Sequence, residues 1–403
     1  MIFIWSFALV IGILVFVHEL GHYLAARSVG VRVEKFSIGF PPRFFTVTSV
    51  DGGFDVTFFF FGLKNGSIKW KPIFSTHLGI PGRVGTNTEY VIALIPLGGY
   101  VKMAGSLDES LDAEVTGAPD EFSSKSVLQK IWILSAGVIM NIFTAFILFT
   151  GITYYQGTMS TNDGSFIGEF AKDSPAQDAG LLSGDEIIMI NGQEVFSWND
   201  LVDILQPIPN TKVDIEVKRG DEYLDFSFDT YEILRPSKNG IDTVGGIGIS
   251  PQYEYNPATF GESIKLGYLN TVGSFGLISL TFKMLASGQA TLKDLGGPIM
   301  IGQIAGETAK AGWIPLFNFM ALISINLAFL NILPVPGLDG GHIFIILIET
   351  IIRRPLSLKS RMVIQQIGMV LLLGLMFTVM FNDIGRLFNL SLIHISEPTR
   401  HRR

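Results

Sequence analysis

The chain is 403 residues long, 48% hydrophobic and only 16% charged, with a formal net charge of −7. Such a composition, with no basic tract, excludes a nucleic-acid partner and points to an integral membrane protein of about two or three domain-sized parts. There is no cysteine, so disulfides and thiolate metal sites are excluded, and any metal must be held by histidine and carboxylate.

Residues 1–27 open with an apolar run long enough to span a bilayer. The run has neither a basic start nor a small-residue cleavage site, so it reads as a retained helix rather than a signal peptide. Near its end stands His18-Glu19-Leu20-Gly21-His22. Two histidines four apart share one helix face and can reach a single Zn²⁺, while Glu19 can act as base toward water there. Ionisable groups at membrane depth are costly, so the pentapeptide marks a functional site.

Residues 28–126 are not helical in pattern. Alternation predicts strands over 31–38, 55–61 and 90–103, and 106–126 reads as an acidic loop. Phe58 to Phe61 is apolar on both faces, as expected of a sheet associated with the membrane. Residues 127–156 form a second span. Residues 157–234 have a soluble composition, with a hairpin signature at Arg219-Gly220-Asp221 between two alternating runs. Residues 235–312 read as a Gly-rich linker and a helix over 261–287 that either spans or lies at the interface. The third span, 313–352, is broken at Pro334-Val335-Pro336. A basic loop at 353–361 leads to the fourth span, 362–390, and 391–403 reads as an appendage set apart from the fold.

Arg353, Arg354, Lys359 and Arg361 make the last loop cytoplasmic by the positive-inside rule. Counting back places the soluble segment outside the cytoplasm, the sheet region on the cytoplasmic side and the N-terminus outside, provided 261–287 does not span. No internal repeat is visible.

A catalytic zinc takes three protein ligands and leaves a position for water. Asp339, in Leu338-Asp339-Gly340-Gly341, lies at membrane depth between two apolar helices, where a lone carboxylate would need a cation. Asp339 is therefore the expected third ligand. Two alternatives stand beside this: Asp339 as cap of the helix from Ile343, and His342 touching the metal in its place.

The His-Glu-Leu-Gly-His motif, the stretch Asn331 to Gly341 and the strand Pro96 to Met103 resemble the site-2 protease family, most closely the bacterial regulator-of-sigma-E protease type. The resemblance implies an intramembrane zinc metalloprotease that cuts a peptide bond in or near the transmembrane segment of single-span membrane substrates, such as anti-sigma factors or signal-peptide remnants. It implies His18, His22 and Asp339 as metal ligands, Glu19 as catalytic base and Asn331 as a group steadying the substrate. Gly137 to Asn141 matches the family's glycine-to-asparagine motif, with Val138 where a proline is usual, and Asn141 is either a substrate contact or a helix–helix hydrogen bond. Gly98, Gly99 and Tyr100 resemble the family's membrane-embedded hairpin, whose edge can hold an extended substrate strand. Gly296-Gly297-Pro298 matches a further element, expected to be structural.

Ser174 to Leu181 and Gly184 to Gly192 resemble a PDZ domain, a module that captures peptides or C-termini. One copy is visible where the sigma-E type has two. The expected fold is thus a multi-pass α-helical membrane protein with four transmembrane helices, a cytoplasmic-side β-sheet region and one extracytoplasmic α+β PDZ domain, in the cell inner membrane. A non-catalytic PDZ scaffold and an ion-coupled transporter are the rival readings; the transporter lacks the inverted repeat it would need.

Overall fold

The computed structural model describes residues 2–64, 67–106, 116–161, 164–237, 240–293 and 295–395. The chain begins with α1 (Ile2–Ser28), then β1 (Val33–Val50), β2 (Gly53–Lys64), β3 (Ser67–Gly79) and β4 (Glu89–Met103), and α2 (Val127–Gln156). Next come β5 (Thr158–Thr161), β6 (Ile167–Phe170), α3 (Pro175–Asp178), β7 (Glu186–Ile190), β8 (Gln193–Glu194), α4 (Trp198–Leu205), β9 (Lys212–Arg219) and β10 (Glu222–Asp229). The run ends with β11 (Tyr231–Ser237), β12 (Gly240–Gly246), β13 (Ile249–Pro251), β14 (Tyr253–Asn256), α5 (Phe260–Ala286), α6 (Pro298–Ala311), α7 (Trp313–Ile332), α8 (Asp339–Ile352) and α9 (Leu358–Ile395). The chain divides into two compact units, one of residues 1–150, 267–281 and 291–403, the other of 151–266 and 282–290.

Among the described residues, five helices are long and apolar enough to cross a membrane: Ile2–Ser28, Val127–Gln156, Phe260–Ala286, Trp313–Ile332 and Lys359–Arg386. The fifth candidate beyond the expected four is the helix whose spanning the sequence left open. On it Ser263, Gly267, Thr271 and Ser274 are buried while Leu269, Val272 and Leu277 are exposed, an inside-out pattern suited to lipid. In the first unit α1 packs on α6 and α7 through Val10, Leu14, Ala305, Leu316 and Met320.

The sheet of the first unit has the order β3-β2-β1-β4. It is larger than the alternation predicts: β3 is an additional strand, and β1 runs on to Val50. β3 escaped notice because its lysines and His77 break the apolar alternation, while its pairing with β2 from Phe54↔Leu78 to Phe61↔Trp70 supplies the missing stability. Phe36 to Ile38 has β4 on both sides, pairing with Tyr90 to Ile92 and with Gly99 to Val101. That arrangement leaves the Gly99–Met103 end of β4 as an edge of the sheet. Beyond it, Glu121 fastens the following loop. Its carboxylate accepts from Thr116 Oγ1, Thr116 N, Gly117 N and Ser123 Oγ, which holds its pKa down at about 2. Residues 107–115 of the expected acidic loop lie outside the described residues.

α6 begins inside the bundle, where its first amides would lack partners. Asp383 of α9, 3% exposed, supplies them. Its Oδ1 accepts from Gly297 N at 3.0 Å and its Oδ2 from Ile299 N and Met300 N at 3.1 Å. A Cβ on Gly297 would stand 2.5 Å from that carboxylate, which explains the glycine of the Gly-Gly-Pro element. Pro298 follows at the position where a missing N–H costs nothing. α9 continues to Ile395, into the stretch set apart at Ser391, and residues 396–403 lie outside the described residues.

The second unit has the sheet β10-β9-β7-β8 over a core of Ile187, Ile190, Leu201, Val213, Ile215 and Val217. The expected hairpin forms, with Glu222 facing Arg219. The stretch expected as linker does not remain one: β11 pairs with β12, β13 with β6 and β14 with β5. Its glycines concealed the strands. Gly245 is pressed against the carbonyls of Leu205 and Ile208 and Gly246 against Ile233, so small residues are required for the approach. Asp185, 1% exposed, takes Arg219 in a forked pair at 2.7 and 2.8 Å and the Leu182 N–H at 2.8 Å. Burial opposes its ionisation, but these bonds and the guanidinium charge outweigh burial and hold its carboxyl below the ordinary value of 3.8.

Two outcomes follow from these carboxylates. Asp383→Ala orphans three buried amides and costs about 3 kcal/mol, seen as a lowered unfolding midpoint of the protein in micelles. Because the Asp185 pKa is depressed on folding, its contribution is present above pH 3.8 and drains away as pH falls through the folded value. Amide protection factors in β9, taken relative to the intrinsic rate at each pH, should therefore fall on acidification, and Asp185→Asn should remove that dependence.

Candidate metal centre

α1 carries its two histidines on a buried face, His18 8% and His22 7% exposed. They can be buried because α2 crosses α1 at glycines. Gly21 lies on the Ala136 carbonyl, and a Cβ on Gly137 would stand 2.6 Å from His22 Nε2 and 2.5 Å from His18 Cε1. The glycine-to-asparagine motif includes Gly137, but nothing in the sequence shows that this glycine makes room for both imidazoles.

The third group arrives from the break between α7 and α8. Asp339 opens α8, and Gly340 and Gly341 lie against the carbonyls of Ile332 and Val335 with no room for side chains. Gly368 of α9 seats against Pro336 in the same way. His18 Nε2 lies 3.1 Å from Asp339 Oδ2 and His22 Nε2 3.4 Å from Oδ1, and one ligand atom from each residue falls within 4.8 Å of the others. The alternative role of Asp339 as a helix cap is not what the geometry forms: the cap position is Leu338, with no side-chain cap bond.

Their hydrogen bonds suit a metal. His22 Nδ1 donates to the Ile133 carbonyl at 2.8 Å, so its Nε2 presents a lone pair. Asp339 Oδ2 is buried with no hydrogen bond of good geometry, and His18 Nε2 lies 3.1 Å from it. A part-buried carboxylate and two imidazole nitrogens that converge make a donor set suited to a tetrahedral zinc with one position open.

Asn141 is fully buried, with its Nδ2 3.4 Å from His18 Nδ1 and its Oδ1 unpartnered. A half-turn of the amide places Oδ1 where it accepts from His18 Nδ1–H, leaving the His18 Nε2 lone pair for the metal. Asn141 is thereby set against His18 rather than against open space, and Ser324 Oγ donates to the Asn141 backbone carbonyl at 2.8 Å. Asn331, at the end of α7, has its Nδ2 3.3 Å from His18 Nε2. His342 is outside the converging group and lies 3.4 Å from Gln365 Nε2. His77 pairs with Asp55 on the exposed sheet.

Glu19, Asn331, Asp339 and His342 line a cleft of about 1160 Å³ together with Gly99, Tyr100 and Val101 of β4. Gly99 faces Glu19, whose Cγ is 3.6 Å from where a Cβ would stand, and Gly98 has a φ of +128°, a backbone that favours glycine. The sheet edge, Glu19 and the two histidines therefore meet in one cavity.

Helices that bury a His-Glu-x-x-His pentapeptide beside an Asp-Gly-Gly break define a membrane-embedded metallopeptidase. The sequence signature of peptidase family M50 matches residues 6–70 and 74–375, and the chain belongs to that family. The regulator of sigma-W protease RasP of Bacillus subtilis is 30% identical over 460 residues, covering 95% of this chain and 98% of its own. The zinc metalloprotease RasP of Bacillus licheniformis is likewise 30% identical, covering 95% and 99%. A Clostridium perfringens protein named for zinc metalloprotease activity is 33% identical over 372 residues, 92% of this chain and 95% of its own. The PDZ domain of an SdrC-like protein from Listeria monocytogenes is 28% identical, covering 23% of this chain and 90% of its own, at a TM-score of 0.19. The site-2 protease resemblance is thus borne out: the chain is a zinc-dependent intramembrane protease.

Gly137→Ala drives a methyl group into both imidazoles and should weaken zinc binding by at least about tenfold, measured by competition with a chelating dye. Gly151→Ala on the same helix meets nothing and should leave binding unchanged.

Proposed function

We propose that His18, His22 and Asp339 hold the catalytic zinc and that Glu19 is the general base. The observation carrying this reading is the convergence of two buried imidazole nitrogens and an unpartnered carboxylate oxygen beside Glu19 in one cleft. A bound zinc supplies Lewis acidity, making water nucleophilic near neutral pH and polarising the scissile carbonyl. Glu19 takes the proton of the attacking water and delivers it to the leaving amide nitrogen. Asn331, with its amide at the mouth of the metal centre, donates to the carbonyl oxygen as negative charge develops there. Asn141 fixes the His18 ring rather than touching the substrate.

A transmembrane helix hides its peptide bonds, so the segment to be cut must first unwind. The Gly99–Met103 edge of β4 offers unpaired backbone beside Glu19, and an extended substrate adds to it as a further strand. Gly98 and Gly99 let β4 lie close against the Phe40 ring and the Ser37 carbonyl, and Gly99 and Tyr100 line the cleft.

Four crossings, α1, α2, α7 with α8, and α9, fit the basic loop on the cytoplasmic side of a cell inner membrane. α6 is too short to cross, and it runs antiparallel to α1, with Gly302 at Phe7 and Gly306 at Phe3. Read as a pair that enters and leaves by the same face, α5 and α6 add no crossing, and on that reading the PDZ-like unit is extracytoplasmic. Its partners are the exposed peptides of single-span substrates.

In vesicles with a single-span reporter substrate, Glu19→Gln should lower kcat at least about a hundredfold with zinc content unchanged. Chelation should abolish cleavage, and zinc should restore it. Cleavage surviving both treatments would contradict the proposal.

A further inference from the structure

The cleft does not end at the metal. It continues along α8 to a mouth lined by Lys130, Glu349, Arg353, Arg354 and Arg361. The single carboxylate there is already committed. Arg361 grips both its oxygens, Nε to Oε1 at 2.9 Å and Nη2 to Oε2 at 2.7 Å, and Leu356 N donates to Oε1 at 2.9 Å. Lys130 Nζ, on the opposite wall, donates to the Ser123 carbonyl at 2.7 Å. Among the described residues, Lys130, Arg353 and Arg354 form no salt bridge. The mouth therefore holds, among the described residues, four cations against one neutralised acid, with Lys130 and Arg361 set into the cleft and Arg353 and Arg354 exposed at its rim.

We propose that this mouth is a subsite for a substrate carboxylate, an Asp or Glu side chain four or five residues from the scissile bond. The proposal rests on the reading that Glu19 and the metal centre cut a strand laid on β4. Asp339 and Glu349 are separated by about 15 Å of helix at 1.5 Å per residue. An extended peptide covers that distance in about four or five residues at 3.3 Å each. The β4 edge points the same way: Gly99 stands at Glu19, while Met103, Gly105 and Ser106 lie further along the cleft, with Lys130. A strand held there by its backbone carries a side chain into the cationic mouth. Basic loops orient membrane proteins without lining anything, but Lys130 and Arg361 stand on α2 and α9 and face one cavity.

The test uses the full-length zinc enzyme in phosphatidylcholine vesicles, with single-span reporters carrying Asp, Asn or Lys stepped from three to six residues on either side of the scissile bond. Asp at the fourth or fifth position on one side should raise kcat/KM about tenfold over Asn, with Lys below both, and rising salt should shrink the difference. Lys130→Glu combined with Arg353→Glu and Arg354→Glu should reverse the order in favour of Lys. If that variant does not fold, Arg353→Gln with Arg354→Gln and the salt titration of the unaltered enzyme still decide the matter. Equal rates for Asp and Lys at every position, with cleavage still lost in Glu19→Gln, would overturn the subsite and leave the catalytic reading intact. Cleavage that survives Glu19→Gln would instead remove the reading on which the subsite rests. Acidic and neutral reporters cut alike, both faster when phosphatidylglycerol is added, would assign the mouth to lipid phosphate and also overturn the proposal.

Discussion

The crossing of α1 and α2 is the constraint on which the rest depends. Three ionisable groups at membrane depth are tolerable only if they share a cation, and sharing requires side chains from distant parts of the chain to meet at a point. Gly21 and Gly137 remove the methyl groups that would hold the two helices apart. With the helices in contact, the Ile133 carbonyl fixes one imidazole and Asn141 reaches the other. Asp339 is delivered by a second set of close approaches, in which Gly340, Gly341 and Gly368 let the break between α7 and α8 fold tightly against its neighbours.

The metal centre would be inert without an extended substrate, and the sheet answers that need. Because β4 lies on both sides of Phe36 to Ile38, the first part of β4 is locked into the sheet and its last residues can remain an edge. Unpaired edges in soluble proteins invite aggregation and are usually shielded. Here the edge is shielded by the cleft itself, with α1 on one side and α8 and α9 beyond.

Much of the site was legible in the sequence because its chemistry is expensive. His18, Glu19 and His22 stand out in an apolar run, and Asp339 stands out between two others. What was hidden were the residues whose contribution is absence of bulk or neutral polarity. Gly137 stands in a recognisable motif but carries no charge to show its role, and Asn141 reads equally as a substrate contact or a helix–helix hydrogen bond, its side chain lying against His18 of α1. The fold shows the same division. Long apolar helices were evident, whereas β3 and the strands after Tyr231 are set by pairing with distant partners. Glycines such as Gly245 looked like linker because close packing and flexibility ask for the same residue.

The cap that Asp383 places on α6 has a consequence for how such a chain can change over time. Gly297 and Asp383 occupy one volume: a methyl at the first position must displace the carboxylate at the second, and a longer acid at the second has nowhere to go. Neither position can drift alone, although 86 residues of sequence separate them. Their histories are tied, and a lineage that abandons the acid would be free to abandon the glycine as well.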